Sequence, residues 1–366
     1  MEPDVGSAAP SCILHADADR FYYAVEALER PDLAASERAV VVGHDPREAP
    51  RAIVTTANDA ARRLGIGSGM AGARALQLAP DALFVPPRFG LYQQYSRRLM
   101  ALLRAETPTL QQLSIDEAWL DWSHRGFDAR PARELRARVL AATGLSVSLG
   151  LAASKLVSKM ATEAAKEQAE RVFVVGPGEE PAFLDPLPVR ALYGVGPKTA
   201  ARLRALGMET IGRLAEQPLE RLTAEFGEAH GRALFEHSRG VDRSALWAER
   251  EAKSYSAEHT FQADTRDRVE LWARLRAQAD HVAERLRRDG LRASEVAIKL
   301  RYADWTDLTR QVRLAAPTAE ASALSRTAAQ LMRLHWDPAR PIRLIGLRAG
   351  RLQPADGPTQ LQIPGV

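Results

Sequence analysis

The chain has 366 residues, beyond the size at which one hydrophobic core keeps growing, so two or more compact units are expected. Hydrophobic residues at 46% and charged residues at 26% exclude a largely disordered chain, and no stretch approaches the roughly 18 apolar residues of a membrane span. The net charge of +4 is unevenly placed: Lys253 to Arg351 carries 19 Lys and Arg against 12 Asp and Glu, so the last third favours a polyanion such as nucleic acid.

Cys12 is the only cysteine, which excludes an internal disulfide, and it has no neighbours at zinc spacing. Met1 to Pro10 is acidic and rich in small residues, unlike a secretory signal. A reducing, cytoplasmic setting is expected.

Ser11 to Ala16 and Ala39 to Gly43 read as short strands, each followed by a helical pattern. Leu110 to Trp122 has two apolar segments around a polar centre, which predicts a strand-to-strand bend. Leu145 to Leu151 is a further strand before a Lys-rich helix. From Pro177, clustered Gly and Pro give way to short helices ending near Gly240, a small all-helical unit. After a polar stretch, helical patterns at Val269 to Arg288 and Ala319 to Leu334 flank strand patterns at Val296 to Tyr302 and Leu308 to Leu314, which reads as an α+β unit ordered strand, helix, strand, strand, helix, strand. Gln353 to Val366 carries three prolines and two glycines and reads as a tail.

Asp17 closes the first strand in HADADRFYYAVE, and Asp116-Glu117 lie at the bend in SIDEAW. Carboxylate oxygens are the hard ligands that Mg²⁺ prefers, and Mg²⁺ takes only a few of them beside water and phosphates. Taken singly, such acids are ordinary surface residues.

Their surroundings carry more information. ILHADADRFYYAVE, TTANDAARRLGIGSGM, YQQYSRRLM, SIDEAWLD, GLAASKLVSKMATEAAK, YGVGPKTAARL and FGEAHGRALFEHSRGVD resemble the motifs of the Y-family DNA polymerases, DinB or polymerase IV branch, in order and at similar separations. The resemblance covers nearly the whole chain and implies an α+β, right-hand-like polymerase. The palm would comprise residues 1–20 and 88–176 and the fingers 21–87. A helix-hairpin-helix thumb at 177–240, a linker at 241–252, a DNA-binding little finger at 253–352 and the tail at 353–366 would follow.

The implied roles follow residue by residue. Asp17, Asp116 and Glu117 would hold two divalent ions, Mg²⁺ with Mn²⁺ as a possible substitute, and Ala18 would add its backbone carbonyl; Asp19 reads as structural. Tyr22 would be the steric gate against a 2′-hydroxyl. Thr56, Arg62 and Lys166 would bind the triphosphate, Arg as a fork and Lys as a point charge. The roof over the new base pair would involve Ile53 and Thr55. One departure stands out, because Asp59 occupies a position that is usually Tyr, and an acid there would repel phosphates unless it points away. Gly194, Gly196 and Lys198 resemble a hairpin turn offering backbone N–H groups to a DNA phosphate. Gln360, Leu361 and Ile363 resemble a sliding-clamp peptide.

The partners implied are primer-template DNA, deoxynucleoside triphosphates and a clamp, with no membrane, for a monomeric, low-fidelity, lesion-bypassing enzyme. Two rivals keep parts of the pattern: a non-catalytic polymerase-like accessory protein, and a helix-hairpin-helix repair module without synthesis.

Overall fold

The computed structural model describes residues 11–246 and 252–355. The chain divides into two compact units, residues 1–249 and 250–366.

The first unit opens with β1 (Ile13–Ala18), α1 (Phe21–Glu29), α2 (Pro31–Ala34), β2 (Val40–Val42), β3 (Thr56–Ala57), α3 (Asp59–Arg63), α4 (Gly72–Leu78) and β4 (Leu83–Val85). It continues with α5 (Phe89–Arg104), β5 (Leu110–Gln112), β6 (Glu117–Asp121), α6 (Ala129–Thr143), β7 (Val147–Ala152), α7 (Lys155–Ala165) and β8 (Val172–Val174). A five-stranded sheet runs β5-β6-β1-β7-β8, and a three-stranded one β3-β2-β4.

Strand alternation dictates what each face of the larger sheet meets. Leu14, Ala16 and Ala18 of β1, Ala118 and Leu120 of β6, and Val147, Leu149 and Leu151 of β7 enter one core with residues of α1, α5 and α6. The residues between them, His15, Asp17, Glu117, Trp119, Ser148 and Gly150, lie on the opposite face. There α7 packs so tightly that a Cβ on Gly150 would stand 2.2 Å from the Ser158 carbonyl oxygen.

Although the fingers were expected to begin at residue 21, Phe21 and Val25 of α1 are buried in the core of the larger sheet. Glu26, fully buried on α1, accepts from Arg88 Nη2 at 2.6 Å and from the Tyr92 hydroxyl at 2.6 Å, tying α1 to α5.

A helical segment follows: α8 (Glu180–Leu184), a 3₁₀ turn (Val189–Ala191), α9 (Pro197–Ala205), α10 (Ile211–Ala215), α11 (Leu219–Phe226) and α12 (Glu228–His237). Its core shares Leu156, Val157 and Met160 of α7. The first part of the expected linker is tied down, since Asp242 accepts from the Leu156 N–H at 3.0 Å and the Ala245 carbonyl accepts from Lys155 Nζ at 2.8 Å.

The second unit is β9 (Ser254–Thr265), α13 (Arg268–Arg288), β10 (Leu291–Tyr302), β11 (Asp307–Thr318), α14 (Ala321–His335) and β12 (Ile342–Pro354). Its antiparallel sheet, ordered β11-β10-β12-β9, has one face covered by α13 and α14. Asp267 caps α13, accepting from the Val269 N–H at 2.8 Å. Gln353 and Pro354, expected in the tail, extend β12 opposite Arg292 and Leu291, so the ladder runs two residues further than composition suggested.

Candidate active site

Asp17 and Glu117 are direct cross-strand partners in the antiparallel β1–β6 pair, so their side chains project from the same face. Asp116 precedes β6, and its carbonyl accepts from the N–H of buried Ala18 at 3.0 Å. This places all three acids at one end of the β1–β6 pair, beside the Ala18 backbone. The Asp116 N–H donates to Ser114 Oγ at 3.2 Å, and that hydroxyl donates to the Asp116 carboxylate.

Helix α7 supplies the opposing charge. Lys166, at its C-terminal cap, lies 3.1 Å from Asp17 and 2.7 Å from Glu163, and Lys159 pairs with Glu117. Burial pushes the Asp17 carboxyl up to about 6 against the pull of Lys166, with Asp116 adding to the rise. Asp116 is also raised, chiefly by burial. Burial would lift Glu117 too, but the nearby His15 ring and the hydrogen bond from Lys159 outweigh it and hold the carboxyl at about 2.

Carboxylate oxygens are the hard donors a divalent ion takes, and a cation beside them would offset the burial that raises Asp17 and Asp116. Lys166 supplies such a charge to Asp17 and Lys159 to Glu117. Among the described residues no three His, Cys, Asp or Glu side chains gather closely enough to hold a metal ion as they stand.

His15 and Lys159 were missed by the sequence reading. His15 is fully buried under α7, with Nδ1 2.9 Å from Thr162 Oγ1 and Nε2 3.5 Å from Glu117, and burial lowers its affinity for a proton. It shares its strand face with Asp17, a period-two relation visible in HADAD. Lys159 also lies 5.5 Å from the Tyr193 ring. Asp19 accepts from the Ser146 and Ser148 hydroxyls at 2.7 Å each, a structural role.

Tyr22 packs its ring 4.8 Å from Tyr92 and 6.1 Å from Phe89, and burial together with the Asp116 charge raises its hydroxyl. Thr56 and Arg62 are near one another, with Arg62 Nη2 3.4 Å from Thr56 Oγ1 and its Nε donating to the Ala57 carbonyl at 3.1 Å. Asp59 forms an ion pair with Arg20. Ile53 is 61% exposed.

Gly194 has φ 93°, a backbone conformation that favours glycine, and Gly196 caps α9 with Lys198 in its first turn. A Cβ at either glycine would meet nothing within 4 Å, so the turn is open to a close ligand. In the second unit, Lys299, Arg301 and Arg348 line the uncovered sheet face, paired with Glu258, Asp307 and Glu295 respectively. Arg313 stands opposite Glu295 on the same face, at the exposed edge strand. Gln360, Leu361 and Ile363 lie outside the described residues.

Residues 16–163 match the impB/mucB/samB family, 252–363 that family's C-terminal domain, and 190–242 the DNA polymerase-iota thumb domain. DNA polymerase IV of Streptomyces coelicolor is 39% identical over 92% of this chain and 70% of its own length. DNA polymerase IV of Halorhodospira halophila is 37% identical over 93% and 95% respectively. Among solved structures, a Y-family polymerase chimera of Dbh and Dpo4 superposes with a TM-score of 0.80 at 24% identity, covering 93% of this chain and 98% of its own, which shows the same fold. The chain belongs to the Y-family DNA polymerases, and within them to the DNA polymerase IV branch. No described helix is long and apolar enough to cross a membrane.

Proposed function

We propose that this chain, as a DNA-directed DNA polymerase of the translesion class, extends a primer at the face where Asp17, Asp116 and Glu117 meet. The observation that carries this is the register pairing of Asp17 with Glu117 beside Asp116, in a setting that lifts two of the three carboxyls. Those three side chains and the Ala18 carbonyl would hold two Mg²⁺ ions, or Mn²⁺. Such ions polarise phosphoryl oxygens and help deprotonate a hydroxyl nucleophile.

The chain's own residues do the rest. Lys166 leaves Asp17 for the triphosphate, where Arg62 and Thr56 also bind, and Tyr22 closes the space beneath the sugar at C2′. The Gly194–Gly196 turn, with Lys198, holds a duplex phosphate without reading sequence, as template-directed synthesis requires. The basic last third adds further phosphate contacts. The protein works as a monomer in the cytoplasm, and Gln360, Leu361 and Ile363 anchor it to a sliding clamp at modest affinity, because ordering a tail costs entropy.

Primer extension with all four deoxynucleotides is the test. Synthesis should require Mg²⁺ or Mn²⁺ and stop on chelation; primer-template binding with no extension would leave only an accessory or repair-binding role. Deleting residues 357–366 should spare unaided extension and remove clamp stimulation, whereas undiminished stimulation would exclude the tail as anchor.

A further inference from the structure

Arg20 and Asp59 form an ion pair between two elements of the site. Arg20 stands between Asp17 and Tyr22, at the N-terminal cap of α1, with φ 50° and ψ 41°. A non-glycine residue in this left-handed region is uncommon and directs its side chain differently from its strand and helix neighbours. Asp59 opens α3, one turn before Arg62.

The pair is not what holds α3 in place. Its side chains are 37% and 53% exposed, and exposed pairs contribute little to stability. Buried Asn58 does the anchoring: its Oδ1 accepts from the Val40 and Ala61 N–H groups at 3.0 Å each, and its Nδ2 donates to the Arg38 carbonyl at 2.9 Å.

A guanidinium held by one exposed carboxylate in the first turn of α3 can exchange that partner for a more highly charged one, and its fork matches two phosphate oxygens. The acid that seemed a handicap in this loop thus acts as a tether. We propose that Arg20 is a further binding residue for the triphosphate of the incoming nucleotide, held ready by Asp59. This rests on the reading of Thr56, Arg62 and Lys166 as the triphosphate site.

The test compares nucleotide KM, and inhibition by inorganic tripolyphosphate, in the parent, Asp59→Asn, Arg20→Ala/Asp59→Asn and Arg20→Lys/Asp59→Asn. With Asp59 neutralised, Arg20 no longer has an acid to screen. Arg20→Ala should then still raise KM, and weaken tripolyphosphate inhibition, by about tenfold, as for loss of a charge-assisted hydrogen bond. Arg20→Lys should recover part of both. If Arg20→Ala changes neither by more than about twofold in that background, Arg20 merely screens Asp59 and this inference falls while the polymerase reading stands. A parent that adds no nucleotide to a primer would overturn both.

Discussion

Asp17 and Glu117 face one another across the β1–β6 ladder, and each is held by a lysine of one helix, Lys166 at 3.1 Å from Asp17 and Lys159 against Glu117. The two lysines are seven residues apart, about two helical turns, so a single face of α7 reaches both carboxylates. Everything that fixes α7 therefore fixes the electrostatics of the site.

Gly150 is the clearest such position. Its added Cβ would lie 2.2 Å from the Ser158 oxygen and 2.3 Å from the Thr162 nitrogen, both backbone atoms of α7 that cannot rotate away. Gly150→Ala should destabilise the protein by at least ~1–3 kcal/mol, the range for overpacking a core, and displace both lysines. Thermal unfolding of the variant at the parent's midpoint would show that α7 is not seated as described.

Tyr22 is braced by Phe89 and Tyr92, so its ring is poorly placed to yield to a bulkier sugar. Tyr22→Ala should lower discrimination against ribonucleotides by about tenfold or more, ~1.4 kcal/mol of differential barrier. The ratio of kcat/KM values for deoxy- and ribonucleotides measures it; a change within about twofold would remove Tyr22 as the gate.

Cys12 is fully buried, and burial, helped by the Asp121 charge, pushes its thiol up to about 12. Because the thiolate is the reactive form, the native protein should resist a disulfide reagent from pH 7 to 9 and react once with it when unfolded. Rapid native-state reaction at pH 8 would contradict the buried placement of the β1 entry.

Much of this site was legible in the sequence for a definite reason. The acids at strand ends sit in short contiguous motifs, and the two helices and two middle strands of the second unit followed from helical spacing and alternation. His15 was overlooked although HADAD alternates it with Asp17 on one face. Lys159 looked like a solvated residue of a Lys-rich helix, because only the close approach at Gly150 brings it to Glu117. The Arg20 partner of Asp59 could not be foreseen, since it joins residues 39 positions apart through a left-handed cap. Gln353 and Pro354 looked like tail residues, and only their pairing with β10 makes them strand.

Arg313 lies on the uncovered sheet face of the second unit, where neighbouring basic residues already have acidic partners. If it meets a DNA phosphate, Arg313→Ala should reduce the slope of log affinity against log salt by roughly 0.9. An unchanged slope would move that contact elsewhere on the protein.

The most direct test of the active site is Asp116→Ala, assayed for both primer extension and primer-template affinity. Asp116 lies beside both Glu117 and the Ala18 backbone, while the surfaces proposed to hold duplex lie on other elements. The expected result is loss of nucleotide addition with the DNA dissociation constant kept within about threefold, ~0.7 kcal/mol. Extension by the purified variant at a rate near the parent's would contradict the assignment of this carboxylate to the metal-binding face.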